Sequence, residues 1–88
     1  MNPELDTLDQ LLAENMPLSA IRQIYPDDEA FAYSIHSMLR CGDVGLRNEH
    51  GETVPSWRWR ELFNDGAWID EQSKLLLDLT EQGARRVA

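Results

Sequence analysis

The sequence predicts an α+β fold, because its two halves show different periodicities. Apolar residues recur at helical spacing from position 5 to position 39, and Gly42 stands where this pattern ends. Beyond Gly42 the chain carries short runs with strand character, separated by polar turns. A chain of 88 residues has room for one core, so we expect residues 1–88 to form a single domain.

The first helix begins at a start signal, Asn2 followed by Pro3 at the first helical position. It should run to about Asn15, because Pro17 disfavours helical geometry in the residue before it. A second, shorter helix fits residues 18–25, whose apolar side chains share one face. The first two helices therefore each offer an apolar face to a common core.

The third helix fits residues 28–41, with an aspartate as its cap and Gly42 as its stop. Cys41, near its end, is expected to be a small buried side chain. We expect the apolar face of this helix to pack against leucines of the first helix and isoleucines of the second. The predicted core consists of Phe31, Ile35, Met38 and Leu39 with Leu5, Leu8, Leu12, Ile21 and Ile24.

A β-hairpin is predicted after the third helix. Residues 44–47 read as its first strand, residues 48–52 as a polar turn centred on Gly51, and residues 53–54 as its second strand. Residues 56–63 remain undecided, because their aromatic residues suit a strand while Pro55 and Ser56 suit the start of a short helix.

A late strand and a terminal turn complete the predicted elements. Residues 74–79 form the last strand candidate, and Thr80 is placed to cap a short terminal turn. The expected order is therefore a three-helix core, a hairpin and a late strand.

This order of elements resembles the winged-helix superfamily, as do three local sequences. Residues 17–25 resemble its second helix, and residues 31–46 resemble its third helix running through a glycine into the first wing strand. Leu79-Thr80-Glu81-Gln82-Gly83 is similar to the Leu-Thr-x-x-Gly ending of small bacterial winged-helix regulators. The resemblance implies a three-helix core followed by a β-hairpin wing.

The resemblance also implies a DNA-reading face. In the superfamily the exposed face of the third helix enters the major groove and the wing touches the DNA backbone or minor groove. Wing positions here are Arg47 and His50. The exposed face of the third helix carries Glu29, Tyr33, His36, Ser37 and Arg40.

The charge of the chain disfavours DNA. Sixteen acidic against eight basic side chains give a formal net charge of −8, and Lys74 is the only lysine. DNA affinity that is independent of sequence comes from cations that neutralise phosphates. In addition, Asp27-Asp28-Glu29 stands at the start of the third helix, where a DNA-reading helix usually presents neutral or basic groups. The same three acids also suit a simple role as cap and dipole partners of that helix.

The segment Trp57-Arg58-Trp59-Arg60 concentrates aromatic and cationic side chains in an acidic chain. Tryptophan and arginine are enriched among the energetic hot spots of protein interfaces, which predicts a partner contact here. The alternative is packing, since a tryptophan in a small domain is usually largely buried. If the segment is a strand, both indoles point one way and both guanidinium groups the other.

Other classes of function lack their sequence signals. We find no metal-ligand spacing among the histidines and Cys41, no nucleophile motif and no glycine-rich phosphate loop, so we expect no enzyme, metal or cofactor. The apolar runs are too short for a membrane span, and the acidic start lacks a secretory signal. A single cysteine suits the reducing cytoplasm.

Two functions are therefore weighed. The first is a regulatory module that binds another protein through an acidic surface, with a second copy of the chain as a further candidate partner. The second is a DNA-binding transcriptional regulator that uses the third helix and the wing. DNA binding is favoured if five arginines lie on one face shared by the third helix and the wing, and it is disfavoured if they are dispersed or pair with acids. These arginines are Arg22, Arg40, Arg47, Arg58 and Arg60.

Overall fold

Three helices open the chain in the computed structural model, which describes residues 2–87. They are α1 (Pro3–Ala13), α2 (Leu18–Ile21, continued by a 3₁₀ turn over Arg22–Ile24) and α3 (Asp28–Cys41). The predicted bounds of α3 are confirmed. Asp27 accepts a hydrogen bond from the backbone N–H of Ala30 at 2.7 Å and so caps its start.

A left-handed glycine ends α3. Gly42 has φ 87°, a conformation that favours glycine, and its N–H donates back to the carbonyls of Met38 and Leu39. The chain therefore turns sharply into the following strand.

One antiparallel sheet packs with these helices. It contains β1 (Met16–Pro17), β2 (Val44–Arg47) and β3 (Leu76–Leu79) in the order β1-β3-β2. The predicted strands 44–47 and 74–79 are thus present, the second in shortened form. β1 was not predicted; it forms because Met16 pairs with Leu77 of β3, and Pro17 fits an edge strand that needs no second ladder partner.

The predicted hairpin is reduced to a turn with a single bridge. Residues 48–52 do form a tight turn, in which the N–H of Asn48 donates to the carbonyl of Glu52 at 2.9 Å. The predicted strand 53–54, however, is only one isolated bridge between Arg47 and Thr53. The strand that pairs with β2 along its length is β3.

The connection from this turn to β3 is helical. A 3₁₀ turn (Ser56–Arg58) leads into α4 (Trp59–Phe63), and α5 (Trp68–Glu71) follows. We call residues 56–71 the helical insert. The undecided stretch 56–63 is therefore helical. This conformation lets Leu62, Phe63 and Trp68 bury their side chains in the core. Within residues 2–87 the fold is thus α+β, with six helices and three strands, the last helix being α6 (Glu81–Val87).

The predicted apolar face of α3 is buried, with exposed fractions of 0–3% for Phe31, Ile35, Met38 and Leu39. The prediction for α1 is partly wrong. Leu8 is fully buried, but Leu5 and Leu12 are 40% and 48% exposed. The helix is rotated so that Thr7, Leu8 and Leu11 face the core instead. Ile21 is buried and Ile24 is partly buried, as expected.

Cys41 is exposed, contrary to the prediction. At 100° per residue its side chain lies about 100° from the middle of the face formed by Phe31, Ile35, Met38 and Leu39, at the border of the buried face.

The terminal helix α6 is attached to the turn between α3 and β2. Thr80 caps it, accepting from the N–H of Gly83 at 3.0 Å and donating to the carbonyl of Gly42 at 2.6 Å. A Cβ at Gly83 would overlap the carbonyl oxygen of Asp43, so only glycine allows this close approach. The buried carboxylate of Asp43 pairs with Arg86.

No helix in residues 2–87 is long and apolar enough to cross a membrane.

Candidate functional site

The segment Trp57-Arg58-Trp59-Arg60 is helical, so its side chains do not alternate as they would on a strand. Trp57 is 76% exposed, whereas Trp59 is partly buried against the core. The indole Nε1 of Trp59 is buried and has no hydrogen-bond acceptor among residues 2–87. One tryptophan is therefore available to a partner and the other contributes mainly to packing.

The two arginines of this segment also differ. Arg58 donates from Nη2 to Oε2 of Glu71 at 3.0 Å and lies 4.0 Å from Glu61, so it connects the two ends of the helical insert. Arg60 is exposed and forms no ion pair with any residue from 2 to 87. Of these two arginines, only Arg60 has a guanidinium group that is free of ion pairs within residues 2–87 and so available to a partner.

The exposed face of α3 is bordered on one side by the helical insert. The ring of His36, at that edge of the face, lies 6.2 Å from the ring of Phe63 in α4. His36 and Ser37 are half-buried, while Glu29 and Tyr33 remain exposed before them and Arg40 after them. The insert therefore narrows the predicted face at His36, while Glu29, Tyr33 and Arg40 stay accessible.

The turn after β2 holds the predicted wing residues. Arg47 donates from Nε to Oδ2 of Asp78 on β3 at 2.7 Å and from Nη1 to the carbonyl of Gly51 at 3.1 Å. His50 is exposed at the tip of the turn, 3.9 Å from Glu49. Arg47 thus forms its contacts within the chain, and His50 is exposed next to the carboxylate of Glu49.

Two grooves flank Tyr33, which is 74% exposed. The first, which we call the Tyr33 groove, lies between the first half of α3 and the helical insert. Its main lining residues are Asp28, Glu29, Tyr33, Phe63, Trp68 and Ile69. The second groove lies on the side of α1 and is lined in part by Pro3, Glu4, Tyr25 and Ser37. None of the described residues that line either groove is a lysine or an arginine.

Sequence reasoning identified Glu29 and Tyr33 but missed the residues of the insert that complete the Tyr33 groove. Phe63 and Trp68 form its buried floor, and Ile69 is 46% exposed at its edge. The four-residue helix α5 is too short to show helical periodicity. The only available signal was the cluster Trp68-Ile69 just after Gly66 in a polar stretch.

A buried hydroxyl network lies beneath the second groove. The hydroxyl of Tyr25 is within hydrogen-bond distance of Thr7 on α1 (3.1 Å) and Ser34 on α3 (2.8 Å). Burial raises the pKa of the Tyr25 hydroxyl above its ordinary value, and the hydrogen bonds from the two neighbouring hydroxyls only partly oppose this. The tyrosine is therefore held in its neutral form, as a structural link between helices.

Three of the five arginines that discriminate between the two functions are paired with acids. Arg22 contacts Asp28 at 2.7 Å, and Arg47 and Arg58 pair with Asp78 and Glu71.

No arrangement of three or more His, Cys, Asp or Glu side chains suited to a metal ion occurs within residues 2–87. Comparison with protein-family models, curated proteins and solved structures finds no match to this chain.

Proposed function

We propose that this protein is a non-catalytic, acidic binding module whose partner is another protein. The observation that carries the proposal is the internal pairing of its cations. Five of the eight basic side chains form ion pairs with acids of the chain itself: Arg22, Arg47, Arg58, Arg85 and Arg86. A DNA-binding surface needs such groups for phosphates, and each internal pair would have to be broken or shared on binding.

The surface that remains is of the kind that proteins bind. Two aromatic side chains, Tyr33 and Trp57, are each about three-quarters exposed on a domain with few large exposed apolar residues. Tyrosine and tryptophan are enriched among the residues that dominate the affinity of protein interfaces. The net charge of −8 favours a partner with a basic surface.

The scaffold is proposed to be a winged helix. Three helices, with the unpredicted β1 between the first two, precede β2 and the late antiparallel strand β3, an order that supports the resemblance. The departure lies in the wing, where the helical insert occupies the connection and covers part of α3. The partial cover of α3 by the insert at His36 supports a protein-binding role over a DNA-reading one. The single cysteine, Cys41, suits a cytoplasmic location.

A salt titration with labelled random duplex DNA tests the proposal. Because few cations are left to displace counterions, we expect at most weak binding at about 150 mM salt, with a shallow dependence of affinity on salt. Fluorescence anisotropy across a range of salt concentrations measures both quantities. Sub-micromolar affinity with a steep salt dependence would contradict the proposal.

The matching positive test is capture from a lysate of the source cells. The immobilised protein should retain a discrete protein species, and treatment of the lysate with nuclease should leave the retained amount unchanged. Retention that disappears after nuclease treatment would show that nucleic acid is the bound partner.

A further inference from the structure

We propose that the Tyr33 groove is the docking site for a basic segment of another protein, one that carries Lys or Arg side chains around a large apolar side chain. The inference rests on the proposed function and adds to it a site and a partner chemistry. It is carried by the combination of apolar floor, exposed aromatic edge and acidic rim in one groove.

The floor of the groove is pre-formed. Trp68 is 2% exposed, and its ring lies 4.5 Å from that of Phe31 in the centre of the core. Phe63 is 5% exposed and contacts α3 through His36. Since both rings are held by the core, an incoming apolar side chain meets a rigid surface and little ordering entropy is lost.

The edges of the groove expose apolar surface to water. Tyr33 on α3 and Ile69 on α5 are 74% and 46% exposed on opposite elements of the groove. A large apolar side chain placed between them would remove both from water, and this burial favours binding. The groove therefore selects a partner segment with an apolar anchor.

The charges around the groove select cations. Glu29 lines it and forms no ion pair within residues 2–87, and Asp27 lines the adjoining depression at Tyr33. Asp28 is already paired with Arg22, so it contributes less. With no basic residue among the described lining residues, the rim complements Lys or Arg side chains that flank the anchor.

The same charges disfavour two other occupants. A symmetric dimer through this face would bring like acids of both copies together, because a two-fold interface places the same patch on each side. Nucleic acid would place phosphates beside Glu29 and Asp27. A segment of a basic protein is the occupant that both the apolar and the acidic parts fit.

A pair of synthetic peptides tests the site on the full 88-residue chain. Both are labelled peptides of about 15 residues with identical lysines; one has leucines at i, i+3, i+4 and i+7, and in the other alanine replaces each leucine, which removes the large side chains and keeps the helix propensity. We expect the Lys/Leu peptide to bind at least about tenfold more tightly than the Lys/Ala peptide at about 150 mM salt. Amide shifts in ¹⁵N-labelled protein should be largest at Tyr33, Gly66 and Ile69.

Variants locate the binding. Tyr33→Ala and Glu29→Lys should each weaken the Lys/Leu peptide about tenfold, while Tyr33→Phe keeps the affinity. Glu49→Lys is the matched control, since it makes the same charge change on the exposed turn after β2 and should leave affinity within about twofold. Thermal melts check that all four variants fold.

Four results would overturn the proposal. They are equal affinity for the two peptides, an equal loss of peptide affinity in Glu29→Lys and Glu49→Lys, no loss of peptide affinity in Tyr33→Ala, or a dimer in sedimentation that Tyr33→Ala dissociates.

The capture experiment separates failure of this proposal from failure of the proposed function. If Tyr33→Ala still retains the nuclease-resistant partner, the protein-binding function stands and the Tyr33 groove is not its site. If duplex DNA binds tightly instead, the proposed function itself fails.

Discussion

Trp57 and Trp59 show how different two neighbouring residues of the same type become in this fold. Trp57 is at the solvent side of the 3₁₀ turn, while Trp59 starts α4 and packs against the core. The indole N–H of Trp59 is buried without an acceptor in the described part of the chain. A buried donor without a partner offsets part of the stability that its ring contributes.

This contrast predicts stability effects of different size at the two tryptophans. Trp59→Ala should lower the free energy of unfolding by about 2–3 kcal/mol, somewhat less than the value for a fully buried indole. Trp59→Phe should cost under about 1 kcal/mol, because it keeps an aromatic ring and removes the unsatisfied donor. Trp57→Ala is the control and should remain within about 0.5 kcal/mol. Urea denaturation measures all three; equal losses for Trp57→Ala and Trp59→Ala would show that the segment is packed differently.

At the scale of elements, the orientation of α1 is the feature that sequence periodicity assigned incorrectly. Leu5, Leu8, Leu11 and Leu12 follow helical spacing, yet only Leu8 and Leu11 of the four are buried. The core-facing stripe includes Thr7, which donates to the carbonyl of Pro3 at 2.8 Å and so satisfies its hydroxyl. A threonine can face the core in this way because its polar group bonds to its own helix.

Two leucine truncations test this orientation. Leu8→Ala should lower the free energy of unfolding by about 2–5 kcal/mol, as expected for a fully buried leucine. Leu12→Ala, on the exposed side of the same helix, should remain within about 1 kcal/mol. Thermal or urea denaturation of the two proteins side by side gives the comparison. Similar losses in both variants would place Leu12 in the core after all.

For the whole molecule, the hydroxyl network at Tyr25 joins the first and third helices to the end of the 3₁₀ turn. Tyr25 follows Arg22–Ile24, and its hydroxyl reaches Thr7 on α1 and Ser34 on α3. Because burial raises the pKa of this hydroxyl in the folded state, the fold binds its proton more tightly than the unfolded chain does. The stability of the molecule is thereby linked to pH.

The sign of this linkage gives a prediction. Tyrosine in the unfolded chain has a pKa of about 10. Above that pH the unfolded state loses the proton before the folded state does, so the free energy of unfolding falls as pH rises. Below about pH 10 the contribution is fully present. Tyr25→Phe should show a smaller fall between about pH 9 and pH 11, and Tyr33→Phe, at an exposed site, should retain the full fall. Denaturation midpoints across this range measure it; identical slopes for Tyr25→Phe and the unmodified protein would contradict the assignment.

The sequence by itself determined several of the local elements. The bounds of α3 follow from its cap at Asp27, its apolar periodicity and its stop at Gly42, all signals that act within one helical turn. The strand Val44–Arg47 and the cap at Thr80 were predicted for the same reason. Tyr33 and Glu29 were placed on the exposed face of α3 by helical geometry alone.

Only the tertiary structure decided what these elements face. β1 exists because Met16 meets Leu77, and Arg47 forms an ion pair within the chain because it meets Asp78, both across long stretches of chain. The helical insert likewise becomes ordered by burying Trp68 rather than by its own periodicity. Such contacts depend on residues distant in sequence, so no local pattern contains them. The grooves beside Tyr33 and the pairing of the arginines are products of the same long-range packing.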